Sequence, residues 1–373
     1  MSNPSLHPPS VIFEPGESYR DRHWQGIPGI ERTPDGTLWA TWYSGGTGEG
    51  PHNYVLLVRS DDDGHSWSEP LVVIDPATYV RAFDPCLWLD PNETLWLFWA
   101  QENIKWDGRA GVWALRNPAP PDMGAWSQPR RLSDGIMMNK PIALRSEARW
   151  FYPTTRWDRP PQTYRFADDV DLSLEEIRAR TTPVDIGRTP TAVYESKDYG
   201  QSISHVGGPQ VPSSVASAPE HMIVERQDGR LWMLIRTTYG IGESFSSDGG
   251  RSWTPVQESD LTHPTTRFFI RRLDSGTLLL VKHDSPTDRT DLTAYVSLDD
   301  GESWTGGLPI DTRDAVSYPD AVQGPDGLIY LIYDRERSAE GEILLATFRE
   351  SDAEAGELVS GDVSRQRTIN TLG

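Results

Sequence analysis

One short pattern occurs four times in this chain: Ser-x-Asp-x-Gly-x-Ser followed by a large apolar residue, at Ser60–Trp67, Ser196–Ile203, Ser246–Trp253 and Ser297–Trp304. A pattern that recurs along a chain reports a structural unit that recurs with it, so the fold must be built from copies of one supersecondary element. Each copy reads as a β-turn staple. The Asp carboxylate accepts from backbone N–H groups, the Gly supplies a positive φ, and the closing apolar side chain tucks beneath the turn.

Between the copies, apolar residues alternate with period two and give hairpins rather than helices. Six are legible: Ile27 to Tyr43 around Pro34-Asp35-Gly36, Pro85 to Trp99 around Pro91-Asn92-Glu93, and Pro141 to Tyr152 around Ser146-Glu147, then three more. These run from Glu220 to Arg236 around Asp228-Gly229, from Arg267 to Lys282 around Ser275-Gly276, and from Tyr318 to Tyr333 around Asp326-Gly327. Trp39, Trp96, Trp150, Trp232, Leu279 and Tyr330 hold one equivalent position after those turns. Most hairpins are followed by a third strand that ends in the Ser-x-Asp turn, and then by a fourth. The second unit has only a degenerate turn, Asp122-Met123-Gly124-Ala125-Trp126, and the sixth has none. Repeated four-stranded units predict an all-β fold, a six-bladed β-propeller of antiparallel blades filling residues 1–373 as a single domain. Ser10 to Phe13 is placed to supply a closing strand. An irregular insertion over 153–190 in blade three holds the one convincing helical segment, Ser173 to Arg178, with Ser at the N-cap and acids in the first turn.

A chain of 373 residues with a net charge of −20 lacks the basic footprint that nucleic acid or an anionic membrane surface requires. The single cysteine, Cys86, excludes an internal disulfide, so packing alone must hold the fold. Met1 to Ser10 has neither a basic nor an apolar leader region, and no apolar run reaches a membrane-spanning length. The chain as given is therefore expected in the cytoplasm, or outside the cell if a leader has been removed. Fifteen Trp exceed what a core of this size needs, so most are expected in the core and some on a ligand-facing surface.

In a propeller the innermost strand of each blade starts at one mouth of the axial channel, so the residues that lead those strands converge. Here they are Gln25-Gly26, Asp84, Asn139-Lys140, Glu220-His221, Arg267, and Tyr318 with Asp320. None is a large apolar residue apart from the phenol, which suits a polar binding site better than core packing. Arg236 ends the second strand of blade four, and Arg289 opens the strand Leu292 to Ser297 of blade five. The most specific pairing is Tyr318 with Glu220. A phenol with pKa near ~10 becomes a nucleophile at neutral pH only when a carboxylate takes its proton or cations stabilise the phenolate. Glu49, in the loop Gly45 to His52, is placed to protonate a leaving group.

With its Ser-x-Asp-x-Gly-x-Ser-Trp boxes, the chain resembles the sialidase superfamily, the propellers of Asp-box repeats, over essentially its whole length. The resemblance implies a Tyr nucleophile assisted by Glu, an acid/base carboxylate, and three arginines that clamp a substrate carboxylate. Tyr318 in Ser-Tyr-Pro-Asp matches the nucleophile, Glu220 in Pro-Glu-His its partner, and Arg236 and Arg289 the second and third arginines. Glu49 falls where the acid/base Asp would be. The first arginine has no match: the family opens blade one with Arg-Ile-Pro, and this chain has Gly26-Ile27-Pro28. Losing one arm of such a clamp costs on the order of 2 to 5 kcal/mol when the charge is desolvated, which points to a sugar other than sialic acid. His23, Gln25, Asn53, Arg81, Lys140 and His221 are polar groups beyond the sialidase set, and a uronate is the alternative they suggest.

The expected function is a sialidase-like exo-glycoside hydrolase removing a terminal acidic sugar from an oligo- or polysaccharide. Tyr318 and Glu220 would form its nucleophilic unit and Glu49 its acid. Elimination by a lyase on uronic-acid glycans is the second possibility, motivated by His23, His52, His221 and Lys140 beside Tyr and Arg. A non-catalytic glycan-binding propeller is the third. No ligand pattern for a metal and no glycine pattern for a nucleotide cofactor is present, so none is expected.

Overall fold

The computed structural model describes residues 4–76, 79–104, 110–145, 148–156, 190–361 and 363–372. They form six antiparallel sheets, each built from consecutive strands, in agreement with the six-bladed propeller. The inner strands are Trp24–Arg32, Val80–Leu89, Ile142–Ala143, Met222–Glu225, Phe269–Arg272 and Val316–Gln323. Their hairpin partners are Leu38–Gly45, Leu95–Asn103, Trp150–Thr155, Leu231–Thr237, Leu278–His283 and Leu328–Arg335. The turn Ser146-Glu147 and the helical segment Ser173 to Arg178 lie outside the described residues. Of the expected insertion, 153–155 continue a strand instead.

Trp39, Trp96, Trp150, Trp232, Leu279 and Tyr330 are all buried, because the second strand has sheets packed on both sides. Among the described residues every Trp is buried or half-buried, with Trp67, Trp253 and Trp304 keeping part of the ring exposed.

The Ser-x-Asp turns have the expected internal bonding. In the first, Ser60 Oγ donates to Asp62 Oδ1 at 2.8 Å, Gly64 N donates to Ser60 Oγ at 2.9 Å, and Ser66 Oγ donates to Asp62 Oδ2 at 2.6 Å. They also join blades. Gly301, at φ +93°, presses so closely on the preceding blade that a β-carbon would stand 2.5 Å from the Trp232 ring. Gly200 meets Trp96 in the same way. The glycine therefore serves both the turn conformation and the docking of one blade on its neighbour.

Blade six replaces the turn with a short helix, Glu350–Ala355, not anticipated from the sequence. Asp352 does the work of the missing box, accepting from the backbone N–H groups of Arg349, Val359 and Ser360 at 2.7–2.8 Å.

Ring closure also differs from expectation. Ser10–Phe13 pairs with Val72–Asp75 as a fifth, outermost strand of blade one and does not cross to blade six. Blades one and six are joined instead by a buried apolar seam, with Ile30, Trp42 and Val58 in one cluster with Tyr330, Ile332 and Leu345, and by polar ties. Ile27 N donates to Asp334 Oδ2 at 2.6 Å, Ile30 N to Asp320 Oδ2 at 2.9 Å, and Gln25 N to the Arg337 carbonyl at 3.1 Å. No helix among the described residues is long and apolar enough to cross a membrane.

Candidate active site

Three inner strands carry a bulge at the same register point. The ladder slips between Gly26 and Gly29, between Phe83 and Cys86, and between Ser317 and Asp320. Each slip contains a residue before proline at positive φ: Ile27 at +58°, Asp84 at +48° and Tyr318 at +53°. Proline has no N–H to continue the ladder, and side chains this large rarely adopt positive φ, so each site stores on the order of 1–3 kcal/mol of strain. In blades two and six the bulge re-aims Asp84 and Tyr318 relative to their strands.

Tyr318 Oη donates to Glu220 Oε1 at 2.8 Å. Arg236 Nη1 donates to the same carboxylate oxygen at 2.7 Å and to the phenol oxygen at 3.2 Å. The Arg337 guanidinium carbon lies 4.3 Å from the centroid of the Tyr318 ring, and that of Arg289 lies 5.5 Å from it. Burial and the Glu220 charge hold the Tyr318 hydroxyl well above its ordinary pKa, against the pull of Arg236, Arg289 and Arg337. At rest the phenol therefore keeps its proton, already aimed at Glu220. Burial works against the Arg236 charge, but Glu220 and Tyr318 outweigh it and raise the pKa.

Asp84 is buried at 2 % exposure. Burial, then the charges of Glu49 and Glu220, push its carboxyl well above the usual range, opposed by Arg81 and Arg337. Glu49 is partly exposed, with its Oε1 4.0 Å from Arg337 Nη1. Arg81 is fully buried, its Nε and Nη2 both on Glu102 Oε1 at 2.8 and 2.5 Å and its guanidinium 3.7 Å from the Phe83 ring centroid.

The other strand-leading residues are drawn into the protein itself. Lys140 Nζ donates to the carbonyls of Ile30 and Leu87 and lies 3.2 Å from both Glu31 Oε2 and Asp320 Oδ2. Arg267 Nε donates to Asn139 Oδ1 at 2.8 Å, with Asp320 Oδ1 3.8 Å from its Nη2. Together these residues make a buried ionic floor, with Arg267 6.0 Å from the Tyr318 ring centroid. Gln25 donates to the Gly341 carbonyl at 2.6 Å and accepts from Trp42 Nε1 at 3.0 Å. Asn53 shapes its own loop, accepting from Gly50 N and donating to the Ser44 and Gly48 carbonyls. His221 is buried, its Nε2 3.0 Å from the Ala192 carbonyl, and burial lowers its pKa to about 4. His23 is exposed, 3.8 Å from Asp21 Oδ1. Gln25, Asn53, Lys140, His221, Arg267 and Asp320 thus act as ties within and between blades, each through at least one bond to the protein itself, with Asp320 Oδ1 left without a hydrogen bond.

Arg337, Asp334 and Ser317 went unnoticed in the sequence. Arg337 Nε donates to Asp334 Oδ2 at 2.9 Å and its Nη2 to Ser317 Oγ at 3.0 Å, while Ser317 Oγ donates to Asp334 Oδ1 at 2.7 Å. Arg337 follows the second strand of blade six, the same kind of loop that carries Glu49 and Arg289. Charged residues in those loops were the available signal, and the inner-strand register does not sample them. A separate cavity of about 310 Å³ lies at the other end of the inner strands, between Trp88, Met222 and Phe269 and away from Tyr318.

The model of the BNR repeat-like domain matches residues 36–331. No curated protein sequence matches the chain. Among solved structures, a protein of unknown function from Dyadobacter fermentans superposes with a TM-score of 0.66 at 16% identity, covering 91% of this chain and 97% of that one. The Hadza microbial sialidase Hz136 gives 0.66 at 18% identity over 89% of this chain and 67% of its own. The intramolecular trans-sialidase from Ruminococcus gnavus, solved with oseltamivir carboxylate, gives 0.67 at 13% identity over 93% and 98%. At these identities the likeness is one of fold. With the repeat matched over most of its length and the six blades in place, the chain belongs to the BNR repeat-like family and is a sialidase-like propeller.

Proposed function

We propose that the protein is an exo-acting glycoside hydrolase that removes a terminal acidic sugar with Tyr318 as nucleophile. The observation that carries this reading is the hydrogen bond from the Tyr318 hydroxyl to Glu220, with Arg236 on both oxygens. As the phenol oxygen bonds to the anomeric carbon, its proton passes to Glu220, and the developing phenolate charge is met by Arg236, Arg289 and Arg337. The glycosidic bond breaks, and the leaving oxygen takes a proton from Glu49. Glu49 then accepts a proton from the water that displaces the sugar, and Glu220 returns its own to Tyr318.

Elimination on a uronic-acid glycan is less well supported. Lys140 is enclosed in the ionic floor and His221 is a buried neutral brace, so two of the groups that suggested it are engaged elsewhere. The test is a screen of fluorogenic sialosides, uronides and rhamnosides for hydrolysis, beside ultraviolet absorbance during incubation with glycans whose uronate carries a sugar on O4, the group that elimination would expel. Reporter release without an unsaturated, ultraviolet-absorbing product supports hydrolysis, whereas an absorbing product would show elimination instead.

A further inference from the structure

Gly26 stands where the resembled family has its first arginine, yet the place is not empty. The side chain of Arg337 crosses it: a β-carbon on residue 26 would lie 2.8 Å from Arg337 Cδ and Nε and 2.9 Å from its Cγ. No side chain on residue 26 can coexist with Arg337 as it lies, so glycine at one position and arginine at the other are a single choice. The guanidinium is held from both ends. Its side chain is fixed by Asp334 and Ser317, and its own carbonyl accepts from Gln25 N, next to Gly26, at 3.1 Å. Gln25 also ties down the far end of the loop through the Gly341 carbonyl.

We propose that Arg337 completes a three-arginine clamp with Arg236 and Arg289, seated over Gly26, and that the group it receives is a sugar carboxylate. This rests on the glycosidase reading above and deepens it by naming the recognised group. All three guanidiniums surround Tyr318, so an anion bound among them is beside the nucleophile. Arg236 faces Glu220 and Arg337 faces Asp334, whereas Arg289 forms no ion pair among the described residues; its Nη1 donates to Ser317 Oγ at 3.5 Å. In a chain of net charge −20, a cluster of three arginines at one mouth attracts an anion against the overall field. Holding Arg337 in place beforehand lowers the ordering cost of binding, and a guanidinium suits a carboxylate's two oxygens. The arm missing from blade one is thus supplied by blade six.

The carboxylate can sit on the anomeric carbon, as in a sialic acid, or on C5, as in a uronic acid. Calorimetric titration with N-acetylneuraminic acid and with glucuronic acid, each beside its methyl ester, separates the two. Wild type should bind one acid at least about tenfold more tightly than its ester, and Arg337→Ala should weaken that acid about 30-fold or more while changing the ester less than about threefold. Arg337→Gln, which keeps a donor for Asp334, should give the same selective loss in a protein of near wild-type melting temperature. Gly26→Arg alone should also weaken the acid by displacing Arg337, and Gly26→Arg with Arg337→Ala should recover about tenfold over Arg337→Ala. Equal losses for acid and ester in both Arg337 variants, or a wild type without preference for either acid, would overturn the clamp. Binding of an acid through Arg337 without any glycoside cleavage would retain the clamp and remove the hydrolase. Cleavage of a neutral glycoside regardless of Arg337 would do the reverse.

Discussion

Tyr318 in blade six donates its hydroxyl proton to the Glu220 carboxylate in blade four across the channel mouth at 2.8 Å, with Arg236 bonded to both. The resting phenol is protonated and the carboxylate is already its acceptor, so proton transfer needs no rearrangement. Tyr318→Phe should lower kcat/KM on the best reporter glycoside by about 10³-fold or more, and Glu220→Gln by about 10²- to 10⁴-fold. Both variants should melt within a few degrees of wild type. Full turnover by the Phe variant would remove Tyr318 from the chemistry.

Lys140 holds strands of blades one, two and six to blade three through two carbonyls and two buried carboxylates. Lys140→Met would leave Glu31 and Asp320 buried without that cation, at a cost of about 3–5 kcal/mol in urea unfolding. A loss of activity with no loss of stability would return Lys140 to the substrate.

Asp84 has a folded-state pKa raised by burial and by Glu49. A carboxyl of this kind binds its proton more tightly folded than unfolded, so its contribution is fully present below the unfolded value near ~4 and is lost as pH rises through the folded value. Asp84→Asn removes the charge that must otherwise be buried. It should raise the melting temperature by about 2 °C or more at pH 8 and make little difference near pH 4. A stability difference that grows toward acid would contradict the assignment.

Three buried histidines work in the opposite sense. Burial lowers the pKa of His221 to about 4 and that of His283 to about 3, and lowers His263 well below its ordinary value. Each contributes stability that is complete above the unfolded value near ~6.5 and is lost as pH falls toward the folded value. For His221 a displacement from 6.5 to about 4 corresponds to about 3 kcal/mol. Melting temperature should therefore decline from pH 6.5 downward, and His221→Gln should flatten part of that decline. The Asp-box carboxylates, held to about 2 by their serine and backbone donors, give way only below the ordinary Asp range, so the two windows separate.

The repeated Ser-x-Asp turns and the period-two hairpins were sufficient to specify the blades, because turn chemistry and strand alternation are local and are written in consecutive residues. They also specified the register that places Tyr318 and Glu220 at the same mouth. The register could not separate Glu220 from Lys140, or Tyr318 from Gln25, since a channel mouth needs both a site and ties between blades and uses polar side chains for each. Ser10–Phe13 shows the same limit: its alternation marks a strand, but not that it would pair within blade one.

The sequence alone determined a six-unit β-propeller with a tyrosine and a glutamate at strand starts, and it showed glycine at position 26 where the resembled family has arginine. Only the tertiary structure decided what that glycine is for. Ring closure brings the loop after the last blade's second strand against the first strand of blade one, and Arg337 then fills the space that a side chain on residue 26 would need. Two residues so distant along the chain constrain each other only through steric exclusion in the closed ring, which no local pattern encodes.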